Sequence, residues 1–122
     1  MTKVTKVEAV VLVAVLMMCG CAGWTRADTY RQVGVVGLSG IDWLQTRKIA
    51  QNPDRWYERN PVLGRHPSIE KVDAWFAGTI AVNTAVAMIL PPGWREGWQY
   101  VSIGWEGTMV GNNMSIGLGI GF

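Results

Sequence analysis

Charge is scarce in this chain. Its 122 residues hold 11 Lys and Arg and 9 Asp and Glu, a charged fraction of 16%, against about 25% in an ordinary soluble domain. So few charges exclude a disordered chain and the composition of a coiled coil, and the length excludes a multidomain enzyme. A net charge of +2, scattered along the chain, lacks the footprint that nucleic-acid binding needs. Cysteine is nearly absent: Cys19 and Cys21, two apart, build neither a disulfide framework nor a zinc site. His66 is the only histidine. There is no G-x-S-x-G elbow, no H-E-x-x-H, no P-loop and no G-x-G-x-x-G leading out of a strand. The residues therefore point to no catalytic set, no metal site and no cofactor.

What is abundant is apolar. Hydrophobic residues make 49% of the chain, with 15 glycines and 7 tryptophans, a balance that fits the cell envelope better than the cytosol. Lys3 and Lys6 precede ten apolar residues, Ala9–Met18, and Cys19-Gly20-Cys21-Ala22-Gly23 follows. A short core with a small-residue exit is the pattern of a secretory signal. Gly20 before Cys21 suits the narrow pocket of a lipoprotein peptidase, whereas Met18 before Cys19 does not. The segment resembles a bacterial lipoprotein signal over residues 1–20, with Cys21 as the lipidated residue and 21–122 as a single mature domain. Met18, where Leu is usual, departs from that pattern. An ordinary cleaved signal or an uncleaved anchor is the alternative.

Three apolar segments follow. The first runs from about Val33 to Ala50. A helix is expected over Ile41–Ala50, with Ile41, Leu44 and Lys48 on one face, ending at Asn52-Pro53. Gly34, Gly37 and Gly40 leave its first half open. Asn52–Ser68 is a loop with three of the five prolines, Arg55, Arg59 and Arg65, and the pair Trp56-Tyr57. Aromatics mixed with arginines suit the headgroup level of a membrane. The second segment opens with Ser68 as N-cap. It runs uncharged from Ala74 to Leu90, and Pro91-Pro92 stops it. Seventeen residues cover about 25 Å, the lower limit for a membrane span. Ala74, Gly78 and Val82, with Ala77, Ala81 and Ala85, put small residues every four positions, as close-packed membrane helices do. Trp75 at one end and Trp94 and Trp98 at the other read as an aromatic belt.

The third segment, Trp94–Phe122, reads two ways. As a helix it lines up Trp94, Trp98, Val101, Trp105 and Met109. As strands it alternates through Val101, Ile103 and Trp105, and again through Met114, Ile116, Leu118, Ile120 and Phe122. A C-terminal Phe closing such a strand resembles the end of an outer-membrane barrel. Two strands cannot close a barrel, and an open edge is not tolerated in lipid. A helix from Trp94 to about Asn112 followed by an extended tail is the expectation.

The strings Ile41-Asp42-Trp43-Leu44-Gln45-Thr46-Arg47-Lys48-Ile49-Ala50, Asn60-Pro61-Val62-Leu63-Gly64-Arg65-His66-Pro67-Ser68 and Gly93-Trp94-Arg95-Glu96-Gly97-Trp98-Gln99 resemble a family of small exported proteins of bacteria and their phages. The resemblance covers about Ile41 to Phe122. It implies no established activity. Some members carry His where this chain has Asn83 and Asn112, which argues against a histidine-based site at those positions. The phage side of the resemblance admits a factor acting on the host envelope, in lysis or in exclusion of other phages.

The expected fold is mainly α, a membrane-associated bundle of two to three short hydrophobic helices packed through Gly and Ala faces. Asp42, Gln45, Asn83, Glu106 and Asn112 are its candidate intramembrane polar site, since acids inside a membrane by default mark a relay, an ion site or a contact. The expected function is structural or interactive, with the lipid bilayer, a second copy or another envelope protein as partner, and no nucleic acid. The alternative is an enzyme or ion- and proton-handling protein centred on Asp42 and Glu106. The basic loop would stay cytoplasmic by the positive-inside tendency, which with a cleaved signal requires the first segment to cross the membrane.

Overall fold

The computed structural model describes residues 5–11 and 23–119. Cys21 and most of the signal run lie outside these residues, so the lipidation site has no structural account. Residues 6–11 are helical. The body is three long helices, α1 (Arg26–Gln51), α2 (Ile69–Ile89) and α3 (Pro92–Ser115), and no strand occurs among the described residues.

Each helix end has a local cause. Thr25 caps α1: Asp28 donates its backbone N–H to the Thr25 hydroxyl at 3.2 Å, and the Asp28 carboxylate accepts the Thr25 N–H at 2.8 Å. Two otherwise orphaned donors are thereby satisfied. Asn52 closes α1 by donating to the Lys48 carbonyl at 2.8 Å, and Pro53 stops it. Ser68 accepts from the Lys71 N–H at 3.2 Å to start α2. Leu90 ends α2 and Pro92 occupies the first turn of α3, where a missing N–H costs nothing. The α2–α3 connection is thus only Leu90 and Pro91.

Asp28 lies against Arg95, Gln32 against Gln99 and Gln45 against Asn113, so α1 and α3 run parallel. Gln32 meets Asn83 while Arg47 meets Asp73, so α2 runs antiparallel to both. α1 is the central helix. α2 and α3 touch each other less and diverge from their hairpin. The loop 52–68 closes that open end, tied by the Glu58 N–H to the Arg65 carbonyl at 2.8 Å. Gly117, at a φ of 97°, turns the chain after α3. Leu118 then packs with Ile49 and Trp56, and Trp56 donates its ring N–H to the Ile116 carbonyl at 3.1 Å.

One open question is answered and three expectations are corrected. α1 is one unbroken helix through Gly34, Gly37 and Gly40, and three helices of 26, 21 and 24 residues replace the two to three short ones. Most of the helix glycines are not packing contacts inside the molecule: a Cβ at Gly34 would touch Ile103 at 3.7 Å, but one at Gly37, Gly40, Gly78, Gly104, Gly107 or Gly111 would meet nothing within 4 Å. Ala74, Ala77, Gly78 and Ala81 are exposed, so the small-residue row of α2 faces outward. The period-two tail does not start as a strand: Met114 and Ser115 complete α3, and Ile116 and Gly117 form a turn that curls Leu118 back into the core.

Candidate functional site

The residues buried along α1 are Asp28, Gln32, Val35, Ser39, Asp42, Gln45, Thr46 and Ile49. Taken at 28, 32, 35, 39, 42, 46 and 49, they step by four and three residues in turn. That is the spacing of a coiled-coil seam, filled here mostly by polar side chains. Arg95 and Gln99 of α3 are buried against it, both with 0% exposure. The surface is the opposite: Val82 is 63% exposed, Trp94 75%, Val101 71% and Trp105 65%.

The seam holds two clusters. The first sits at the hairpin end. Arg95 donates to the Asp28 carboxylate at 3.2 Å, to the Ala87 carbonyl at 2.8 Å and to the Leu90 carbonyl at 3.0 Å. Its guanidinium lies over the Trp24 ring, 4.8 Å from the centroid. Arg31 pairs with Asp28 and donates to Gln99 at 2.8 Å. Gln99 donates to Gln32 at 3.2 Å, and Gln32 to Asn83 at 3.2 Å and Thr84 at 3.0 Å. Asn83 donates to the Ser102 hydroxyl at 2.8 Å. The chain of bonds joins all three helices and is a structural lock.

The second cluster is at the open end. Asn113 donates to Asp42 at 2.8 Å and to the Gln45 amide oxygen at 3.1 Å, and Thr46 donates to Asp42 at 3.4 Å. Asp42 and Glu106 are neighbours on the wall of one cavity. Glu106 Oε2 is buried and has no hydrogen-bond partner among the described residues, so it is a polar atom the fold leaves unsatisfied.

The pair lines a cavity of about 580 Å³ between α2, α3 and the loop. Its walls include Tyr57 and Glu58 from the loop, Trp75 and Phe76 from α2, and Trp105 and Met109 from α3. Glu58 is held in place by accepting the N–H groups of Arg59 and Asn60, each at 2.9 Å. The volume falls in the range of small-molecule sites. No group of three His, Cys, Asp or Glu that could hold a metal occurs among the described residues.

Of the residues singled out from sequence, Asp42, Gln45 and Glu106 come together. Asn83 belongs to the hairpin-end cluster instead, because α2 runs antiparallel. Asn112 is exposed at the cavity rim, and its neighbour Asn113 makes the bonds. His66 is exposed in the loop. Sequence reading overlooked Gln32, Arg95, Gln99 and Asn113, whose signal is their spacing along the seam.

Fold and seam together define a three-helix protein with a polar seam along its central helix, a small apolar core beside it and many large apolar side chains on its surface. No family model, no curated protein and no solved structure matches the chain.

Proposed function

We propose that this is a small, non-enzymatic envelope membrane protein whose three helices lie in the bilayer and whose role is interaction with other envelope components. The inversion of polarity carries the reading: polar groups are bonded to one another inside, and apolar groups are turned out. α2 is long and apolar enough to cross a membrane, with a mean hydropathy of 1.4, yet only 17% of its apolar window is buried within the molecule. The core helix of a soluble domain would be mostly covered. Along α1, Asp42 is the one charge between Arg31 and Arg47, and it sits in the seam. That stretch is about 22 Å long, and long basic side chains at its ends can reach the headgroups.

Three crossings also reconcile export with the basic loop. A mature N-terminus outside puts Arg55, Arg59 and Arg65 in the cytoplasm, the Leu90-Pro91 turn outside and the C-terminus inside. A reporter that works only in the periplasm should be inactive when fused after Gly119 and active when inserted at Pro91. The reverse pattern, or release of the protein by carbonate washing, overturns the reading. Labelling with a palmitate analogue, lost in Cys21→Ala, tests lipidation separately.

The second reading, ion or proton handling centred on Asp42 and Glu106, is favoured by the two neighbouring carboxyls at one cavity wall. Asp42→Asn and Glu106→Gln leave an interaction protein assembled and active, and abolish the phenotype of a site that needs the acids.

A further inference from the structure

The cavity at the open end has a composition that the lock at the hairpin end lacks. Of the seven tryptophans, four spend their ring N–H groups on structure: Trp24 on Thr29, Trp43 on Asp73, Trp56 on Ile116 and Trp98 on Asn83. Trp75, Trp94 and Trp105 make no hydrogen bond and no ring contact with any described residue. Two of those three, Trp75 and Trp105, line the cavity. The other aromatic walls are engaged. Phe76 stacks on Trp43 with centroids 6.0 Å apart, and Tyr57 carries Arg65 at 4.6 Å from its ring centroid.

Charge at the cavity is lopsided as well. Asp42, Glu58 and Glu106 share the lining with Arg59, the only cation there among the described residues. Three carboxyls against one guanidinium make the walls acidic. These carboxyls do not converge into a group of three that could hold a metal ion among the described residues. A negative, aromatic-walled cavity of this volume suits an organic cation, whose charge is drawn both by carboxylate and by ring faces, and whose apolar body covers Met109 and the indoles.

We propose that this cavity binds an organic ammonium compound with an apolar body, its charged head at Asp42 and Glu106 and its body between Trp75 and Trp105. The site rests on Asp42 and Glu106 acting as a functional pair, and not on how the helices sit in a membrane. The head lies beside the loop 52–68, so entry is from that end of the bundle.

The test uses the full chain purified in a mild nonionic detergent and three probes of one shape: 4-phenylbutylamine, 4-phenylbutanol and 4-phenylbutyrate. Calorimetry and tryptophan fluorescence follow binding, and circular dichroism checks that each variant keeps its helix content. The amine should bind saturably and about tenfold more tightly than the alcohol, with no saturable binding of the acid. Glu106→Gln and Asp42→Asn should each remove that advantage of the amine while leaving the alcohol unchanged, and Trp105→Ala should weaken both. Should Asp42→Asn lose its helix signal, Glu106→Gln and Glu58→Gln carry the comparison. Equal binding of amine and alcohol, tighter binding of the acid through Arg59, or amine affinity unmoved by the carboxyl variants overturns the proposal. Flotation of the same protein with vesicles is read separately. A protein that floats without binding the amine loses the site and keeps the envelope reading, and one that binds without floating does the reverse.

Discussion

Arg95 has no exposed surface, and its bonds tie separate segments together: the end of α2, the residues before α1, and Asp28 within α1. Its removal leaves Asp28 partly unpaired and two α2 carbonyls bare. Breaking a buried pair from one side costs about 3–5 kcal/mol. Arg95→Ala should therefore melt far below the wild type in the same detergent. Arg95→Lys should recover little, because an ammonium cannot span the carbonyls and the carboxylate as a planar fork does. At the other end, Asn113 serves Asp42 and Gln45 at once, whereas Asn112 faces outward. Asn113→Ala should cost about 1–3 kcal/mol, the usual penalty for a stranded buried acceptor. Asn112→Ala should stay within about 0.5 kcal/mol. Denaturant titration of the two alanine variants compares them directly, and equal losses would refute the placement of Asn113.

At the scale of the helix, three ends were legible in the sequence, whereas the start of α1 at Arg26, the close of α3 at Ser115 and the packing face were not. Asn52-Pro53, Ser68 and Pro91-Pro92 act through local chemistry, so their positions carry over to the fold unchanged. The Thr25–Asp28 cap is local too, and Thr25→Ala should lower stability by about 1 kcal/mol, with early loss of ellipticity on heating. The inner face of α1 is different. Apolar stripes such as Ile41 and Leu44, or Trp94, Val101 and Trp105, ordinarily point to a core. Here the most exposed positions of α3 belong to such a stripe, and the buried line runs through Asp28, Gln32, Ser39, Asp42 and Thr46. Composition argues against a coiled coil, yet its step of four and three survives with polar residues in place of apolar ones. A search for polar side chains at that step, rather than for hydrophobic ones, would have found Gln32, Gln99 and Asn113. Asn83 was grouped with Asp42 because both are mid-segment, and only the antiparallel course of α2 separates them. The second half of the site, Glu58 and Tyr57, comes from a loop whose path no helical period encodes.

For the molecule as a whole, the decisive property is which side of each helix meets the surroundings. In water, burying Asp28, Gln32, Arg95 and Gln99 while exposing Val82, Val101 and Trp105 forfeits the burial energy that ordinarily offsets chain entropy. In a bilayer the same arrangement is favourable, since apolar faces meet lipid and most inward polar groups have a bonded neighbour. A single substitution separates the two environments. Val82 lies on the outer face of α2, 63% exposed, although its chain neighbour Asn83 turns inward to the hairpin-end cluster. On a water-exposed helix Val82→Lys is nearly neutral, within about 0.5 kcal/mol. Near the middle of a span a lysine costs about 2.5–3.5 kcal/mol. Val82→Lys should therefore cut the carbonate-resistant membrane fraction sharply, while Gln51→Lys at the exposed end of α1 should leave it intact. Two equal, undiminished fractions would place the outer face of α2 in water, and the polar seam would then need another reason to exist.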